Sequence, residues 1–279
     1  MNFLNIMSQM VIFPLLGILV VRLVKLAQDR RTSFDEDKAM LIEGNLAVGL
    51  RKAGMFLGLF LALAGALSGK SPNILADLLN FLQAAVMVVI FLFLTFELNK
   101  KIILRKVNND EAISRGNVAV GAVEFSTYVG TGIIMNGAFS GEGGGLWAAA
   151  VFFILAQMAL VIAFYLDAVL SRRNVQEEIE LKGNIAEGVD IAGILIGISI
   201  ILRASIIGPF VGWISGLEGF SIYLVLGLLA LFVFKELAEK LFMPKVSYAD
   251  EMDVKRNEAV AIFTACIQVS VAVFIANSM

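Results

Sequence analysis

Five charged residues stand inside otherwise apolar runs. Arg51 and Lys52 lie in GNLAVGLRKAGMFLG, Glu124 in GNVAVGAVEFSTYVG, and Glu187 and Asp190 in GNIAEGVDIAGILIG. A charge in a segment of this kind is costly, and it faces protein or water. Counted from the Asn of each phrase, Arg51 and Asp190 share position +6, and Lys52 and Glu124 share position +7. Those four charges cancel. They are expected to pair, Arg51 with Asp190 and Lys52 with Glu124, in one cluster about two helical turns from the cytoplasmic face. Such pairs could fix which repeat sits beside which, with Arg51 and Lys52 also snorkelling to the surface. They could equally form a cation or proton pathway in which Glu124, Glu187 and Asp190 bind and release charge. Arg203 lies toward the far end of its run with no evident partner in the sequence.

The phrases that carry these charges are copies of one another. A fourth copy, RNEAVAIFTACIQVS, starts at Arg256, and the anchor residues Asn45, Asn117, Asn184 and Asn257 are 72, 67 and 73 residues apart. A period near 70 residues holds two spans, so every copy has the same orientation. The repeats are parallel and related by an axis along the membrane normal. Each Asn either caps its helix or contacts a ligand.

Small residues recur at fixed offsets from the Asn. Position +2 is Ala47, Ala119, Ala186 and Ala259; +9 is Gly54, Ser126, Gly193 and Cys266. Position +13 is Gly58, Gly130, Gly197 and Ser270; +20 is Gly65, Gly137, Ala204 and Asn277. At about 100° per residue these offsets form one narrow stripe, suited to close helix packing in lipid. On the opposite stripe stand Asn45, Gly49 and Lys52, then Asn117, Gly121 and Glu124, then Asn184, Glu187 and Gly188, then Asn257, Ala261 and Thr264. These polar faces are expected to converge on a cytoplasmic vestibule.

A second acidic set, Glu97, Asp167 and Glu236, sits at the cytoplasmic ends of the odd-numbered spans, each followed within about one turn by Lys or Arg. Interfacial ion pairing accounts for it; rimming the vestibule is the alternative. The acidic stretches before each Asn, such as DEDKAMLIE and VQEEIELK, read as short amphipathic lead-in helices.

The elements that position these residues follow from hydropathy. Of 279 residues, 59 % are hydrophobic and 16 % charged, far from the soluble average. Eight runs are long enough to cross a bilayer: Met7–Leu26, Leu46–Leu67, Ile74–Phe96, Val118–Phe139, Leu146–Leu170, Ile185–Ile207, Phe220–Phe234 and Ala259–Ala276. The fold class is therefore all-α, a polytopic bundle. Connections after the odd runs are charged, and the others are short and Gly-rich. All but four of the 22 Lys and Arg (Arg51, Lys52, Arg203 and Lys70) lie in or beside the charged connections. The positive-inside rule then puts those connections in the cytoplasm and both termini outside. No basic residue precedes the first apolar run, so that run is expected to stay as a span and not be removed as a signal peptide.

With no histidine and one cysteine, Cys266, the chain lacks the usual proton shuttle and common zinc ligands. No metal-ligand cluster, nucleophile–base pair or cofactor motif is visible, so no enzyme activity, metal or cofactor is expected. A net charge of −2 gives no reason to expect nucleic acid. The expected partners are the lipid bilayer, a second copy of the chain, and a cytoplasmic protein held by the charged connections.

The GN-[VIL]-A-[VE]-G phrase followed by a glycine-rich apolar helix resembles the YjfL-type bacterial inner-membrane proteins, which carry domain of unknown function 350. The resemblance covers the whole length and implies two tandem four-helix domains, at 1–140 and 141–279, in the bacterial inner membrane. It implies no established activity. The last copy departs from the pattern, with Arg256 for Gly and Ala261, Cys266 and Ser270 for glycines. Three functions are open on the sequence: first a small-ion or cation transport or channel-like protein, then a non-transporting scaffold or stress-response component that recruits a cytoplasmic partner, and last, with the least support, a membrane-embedded enzyme.

Overall fold

The computed structural model describes residues 7–68, 74–141, 143–170, 174–244, 247–248 and 250–279. Lys70 and the basic residues Arg172 and Arg173 that follow Asp167 lie outside the described residues. Eight helices are long and apolar enough to cross a membrane: Met10–Asp29, Leu46–Ala66, Ile74–Ile103, Val118–Ser140, Gly145–Val169, Ile185–Ile206, Trp213–Phe242 and Glu258–Ala276. The seventh is the main departure from the hydropathy reading, which gave Phe220–Phe234. The helix runs for 30 residues, because Glu218, Lys235, Glu236, Glu239 and Lys240 are helix-compatible charges that end an apolar run without ending a helix.

Two lead-in helices form as expected, Glu36–Leu41 and Asn109–Ser114. In the third and fourth copies the lead-in is instead a π-turn, Glu177–Leu181 and Asp250–Val254. Each lead-in ends in a left-handed residue: Gly44 (φ 68°), Gly116 (φ 82°), Gly183 (φ 61°) and Arg256 (φ 50°). Glycine adopts that conformation without a Cβ penalty, which accounts for the Gly of the repeated phrase. The next residue is the Asn. Its side chain caps the following span by accepting from Val48 N, Val120 N, Glu187 N, or Ala259 N and Val260 N.

The second, fourth, sixth and eighth spans form a row, each packed along the next. The third, fifth and seventh lie in the grooves between successive members, and the first lies against the second. The fourth and sixth, in the middle, are the most enclosed. The stripe of small residues sets this order. A Cβ on Gly54 would meet Phe125 Cα at 2.5 Å, one on Gly65 would meet Asn136 O at 2.5 Å, and one on Gly58 would collide with the Tyr128 carbonyl. Gly193 lies in the same way on Ala265, Gly130 on Ser199, and Gly197, less tightly, on Gln268 and Ala272. Backbones this close gain dispersion contact that bulky side chains would block.

The opposite stripe does not open a vestibule. A Cβ on Gly121 would meet Ala47 Cα at 2.9 Å, and one on Gly188 would meet Ala119 Cα at 2.6 Å. These glycines receive the small stripe of the preceding copy, so two opposed faces of the fourth and sixth spans are packing faces.

Candidate functional site

Arg51 is the hub of a buried polar centre. Its side chain is 1 % exposed. The second span brings it against the fourth, where Nε donates to Glu124 Oε2 at 2.5 Å and Nη2 to Oε1 at 3.1 Å. Nη1 donates to Glu36 Oε1 at 3.1 Å and to Asp110 Oδ1 at 2.8 Å. Asn109 Nδ2 adds a bond to Glu124 Oε1 at 3.2 Å. The Phe96 ring lies 5.9 Å from the guanidinium carbon, within the range of a cation–π contact.

Local sequence places the two lead-in carboxylates. Asp35 caps the helix that holds Glu36, accepting from Lys38 N. Asn108 caps the helix that holds Asp110, accepting from Asp110 N. Both carboxylates thus fall in a first turn, where the helix dipole favours negative charge. Burial pushes the Glu36 carboxyl above its usual range, while Arg51 and Lys52 pull it back.

The expected pairing is corrected here. Arg51 holds Glu124, not Asp190. Lys52 does not reach Glu124; its Nζ lies 2.5 Å from Asp37, 3.6 Å from Glu36 and 3.7 Å from Asp29. The reason is the row. The second span touches the fourth, whereas Asp190 belongs to the sixth, one member further on. Equal offsets mark equivalent positions, and equivalent positions of alternate row members do not meet.

Asp190 forms a second centre with the eighth span, where Gln268 Nε2 donates to its Oδ1 at 2.7 Å. Asp190, Glu187 and Gln268 are each 0 % exposed. Gly193 makes room for Gln268, whose Oε1 lies 2.5 Å from where a Cβ would sit. An uncharged chain links the third, fourth and fifth spans: Gln157 Nε2 donates to Thr131 Oγ1 at 3.0 Å, and Thr131 Oγ1 bonds Thr95 Oγ1 at 3.1 Å. At the other end of the bundle Arg203 has a partner, donating from Nε to Asn136 Oδ1 at 2.8 Å, while Asn136 Nδ2 donates to Leu61 O at 2.9 Å.

The repeat-anchor Asn residues join copies as well as capping spans. Asn45 Nδ2 donates to Ile113 O at 2.9 Å, Asn117 Nδ2 to Ile179 O at 3.0 Å, and Asn184 Nδ2 to Met252 O at 2.9 Å. Each reaches the lead-in of the following copy. Asn257, in the fourth copy, bonds instead within its own lead-in, from Nδ2 to Glu251 Oε2 at 2.8 Å.

Among the described residues, Glu97, Asp167 and Glu236 share no ion-pair partner. Glu97 pairs with Arg31 at 2.6 Å and Lys101 at 2.9 Å, buried Asp167 with Lys235 at 3.4 Å, and exposed Glu236 with Lys240 at 2.9 Å. They belong to separate ion pairs, because the odd spans that carry them are set apart by the row. A cleft of about 670 Å³ opens at the Gly-rich end, away from Arg51, lined by residues including Asn80, Gln83, Ala138 and Leu146.

Sequence reasoning missed Glu36, Asp37, Asp110, Asn109 and Gln268. The first four stand in stretches that read as solvated connections, and nothing local tells an exposed acid from one folded back over a span. Gln268 had a signal: it is a polar residue in the middle of the eighth apolar run.

No solved structure matches the chain. It is similar to a UPF0719 transmembrane protein of Aquifex aeolicus (strain VF5), 27 % identical over 225 residues, which are 79 % of this chain and 81 % of that one. The model of the family described as Domain of Unknown Function (DUF350) matches twice in tandem, over residues 2–139 and 142–279. With a family match across both halves and eight membrane-length helices in four repeated pairs, the chain belongs to the DUF350 family of membrane proteins.

Proposed function

We propose that this integral membrane protein is a non-transporting scaffold of the bacterial inner membrane. Its cytoplasmic lead-in segments would dock a soluble partner protein. One observation carries the reading. Of the charges that could have formed an ion path, Arg51 and Glu124 are held in a buried lattice with Glu36, at 1 %, 1 % and 0 % side-chain exposure. Such a lattice fixes neighbours and keeps Glu36, Asp110 and Glu124 each within 3.1 Å of Arg51. The lead-ins also carry large apolar residues on the surface at one repeated position, three before the Asn: Ile42, Leu181 and Val254 are 78 %, 62 % and 77 % exposed. Apolar side chains rimmed by charge mark protein contact surfaces. The positive-inside distribution supports placing these segments in the cytoplasm and both termini on the periplasmic side.

A second reading, proton or cation movement, rests on the Glu187, Asp190 and Gln268 centre, where carboxylates sit at zero exposure in the middle of the bundle. Proteoliposomes separate the two. The scaffold reading expects dye-monitored H⁺, Na⁺ and K⁺ flux equal to that of protein-free vesicles. A flux that Asp190→Asn abolishes in folded protein would overturn it.

A further inference from the structure

The row is built from one contact used three times. The small stripe of each even span, at +2, +9, +13 and +20, packs on the facing positions +4, +8, +11, +15 and +19 of the next. Gly54 meets Phe125, Gly65 meets Asn136, Gly137 meets Arg203, and Gly193 meets Ala265. The contact is heterologous, because the two helices use different faces, and a heterologous contact has two unlike free ends.

Both ends are present and complementary. On the eighth span the whole stripe is uncovered: Ala259, Cys266, Ser270 and Asn277 are all exposed. Its counterparts in the first three copies are buried, apart from half-buried Ala204. The second span carries the free receiving face. A Cβ on Gly49 meets nothing within 4 Å, whereas the equivalent Gly121 and Gly188 lie on the preceding copy. Ala53 and Ala64 of that face are exposed, Phe56 is half-buried, and Phe60, whose ring lies on Gly17 of the first span, is 38 % exposed. The first span lies against the second and, through Phe13 on Phe81, the third, while each later odd span is seated in a groove between two row members.

The polar bridges end at the same places. Asn45, Asn117 and Asn184 each donate to a carbonyl in the next lead-in, at Ile113, Ile179 and Met252, side chains that are all 0 % exposed. The equivalent residue of the first lead-in is Met40, which is half-buried, and its neighbour Leu41 is 74 % exposed. Small and polar residues such as Cys266, Ser270 and Asn277 differ from the surface the seventh span gives to lipid, which is Leu226, Leu229 and Val233.

We propose that the eighth span binds the second span of another copy of this chain, continuing the row head to tail. The stripe Ala259, Cys266, Ser270 and Asn277 would seat on the face formed by Gly49, Ala53, Phe60 and Ala64. The occupant is a second copy because the chain already makes this contact three times with itself, and its two free ends match. Such a contact either closes into a ring or extends as a chain of subunits.

Cysteine cross-linking in native membranes tests this. In the internal contacts +9 of one copy faces +8 of the next, so Cys266 would face Ala53 of the neighbour. With an oxidant, Ala53→Cys is expected to give disulfide-linked dimers and higher species. Wild type, with Cys266 alone, and Ala53→Cys/Cys266→Ser are expected to give none. Gly49→Leu is expected to keep the wild-type melting temperature in detergent, because that Cβ meets nothing within the chain, and to lower the mass by light scattering to the monomer. Cross-linking of wild type through Cys266 to Cys266 would mean a two-fold contact and overturn the proposal. So would failure of Ala53→Cys to cross-link, or an unchanged oligomer in Gly49→Leu.

Discussion

Arg51 and Glu124, 73 residues apart in sequence, are joined by two hydrogen bonds of 2.5 and 3.1 Å, with both side chains 1 % exposed. The pair sits where the first and second repeats meet, and it ties both of their lead-in helices to the membrane core through Glu36 and Asp110. Glu124→Gln therefore leaves the guanidinium under-compensated, and a loss of about 3–5 kcal/mol is expected for a desolvated pair. The swap Arg51→Glu with Glu124→Arg is expected not to recover it, because a carboxylate at position 51 would face those of Glu36 and Asp110. Lys52→Glu with Glu124→Lys should fail too, since those side chains do not meet. Thermal unfolding in detergent reads all three; recovery by the first swap would show that the lead-in carboxylates add little.

The small stripe gives a graded series. Gly58→Leu drives a side chain into the Tyr128 carbonyl and should cost at least about 1–3 kcal/mol through overpacking. Gly44→Ala meets no neighbour but keeps a left-handed φ of 68°, and should cost only about 1–2 kcal/mol. Arg256→Gly relieves the same strain at the fourth copy, so a rise in melting temperature is expected. Equal effects of Gly58→Leu and Gly44→Ala would remove close helix contact as the reason for the stripe.

The Asn residues divide by their second bond. Asn117→Ala and Asn184→Ala lose a cap and a bridge to the next lead-in. Asn257→Ala loses a cap and a bond inside its own lead-in. A cap is worth about 1 kcal/mol, and the bridge to a buried carbonyl adds about 1 kcal/mol more. Asn257→Ala should be the mildest of the three in chemical denaturation.

Asp37 supplies a pH signature. Its hydrogen bonds with Lys25 and then Lys52 hold its carboxyl below the usual range. A carboxylate depressed in the fold contributes stability above its unfolded pKa and loses it as pH falls through the folded one. Asp37→Asn should thus be less stable than wild type at pH 7, by under about 1 kcal/mol since the side chain is part-exposed. The two should converge at pH values well below the normal aspartate range. A gap that widens in acid would contradict the assignment.

Topology is open to direct measurement. A periplasm-active reporter fused after Met279 is expected to be active, and one inserted at Asn108 silent. The reverse pattern would put the lead-in segments outside the cell and remove the docking role proposed for them.

By itself the sequence determined the eight spans, the parallel repeat, the Asn anchors and the stripe of small residues. Each is a local pattern: twenty apolar residues, a period near 70, a capping residue, a face repeated at helical spacing. These properties belong to one segment at a time, so they are legible without knowing the neighbours. It also located Arg51, Glu124 and Asp190 as buried charges, because charge within an apolar run is visible one residue at a time. Which charge meets which was decided only by the tertiary structure. Repeat offsets identify equivalent positions, but in a row built from a heterologous contact each helix offers one face to its neighbour and receives another. Arg51 therefore meets Glu124 at the next offset, while Asp190 turns to Gln268 on the far side. Glu36 and Asp110 were hidden for a related reason: in sequence they are acids in polar connections, and only the fold of the lead-in over the span end takes them out of water.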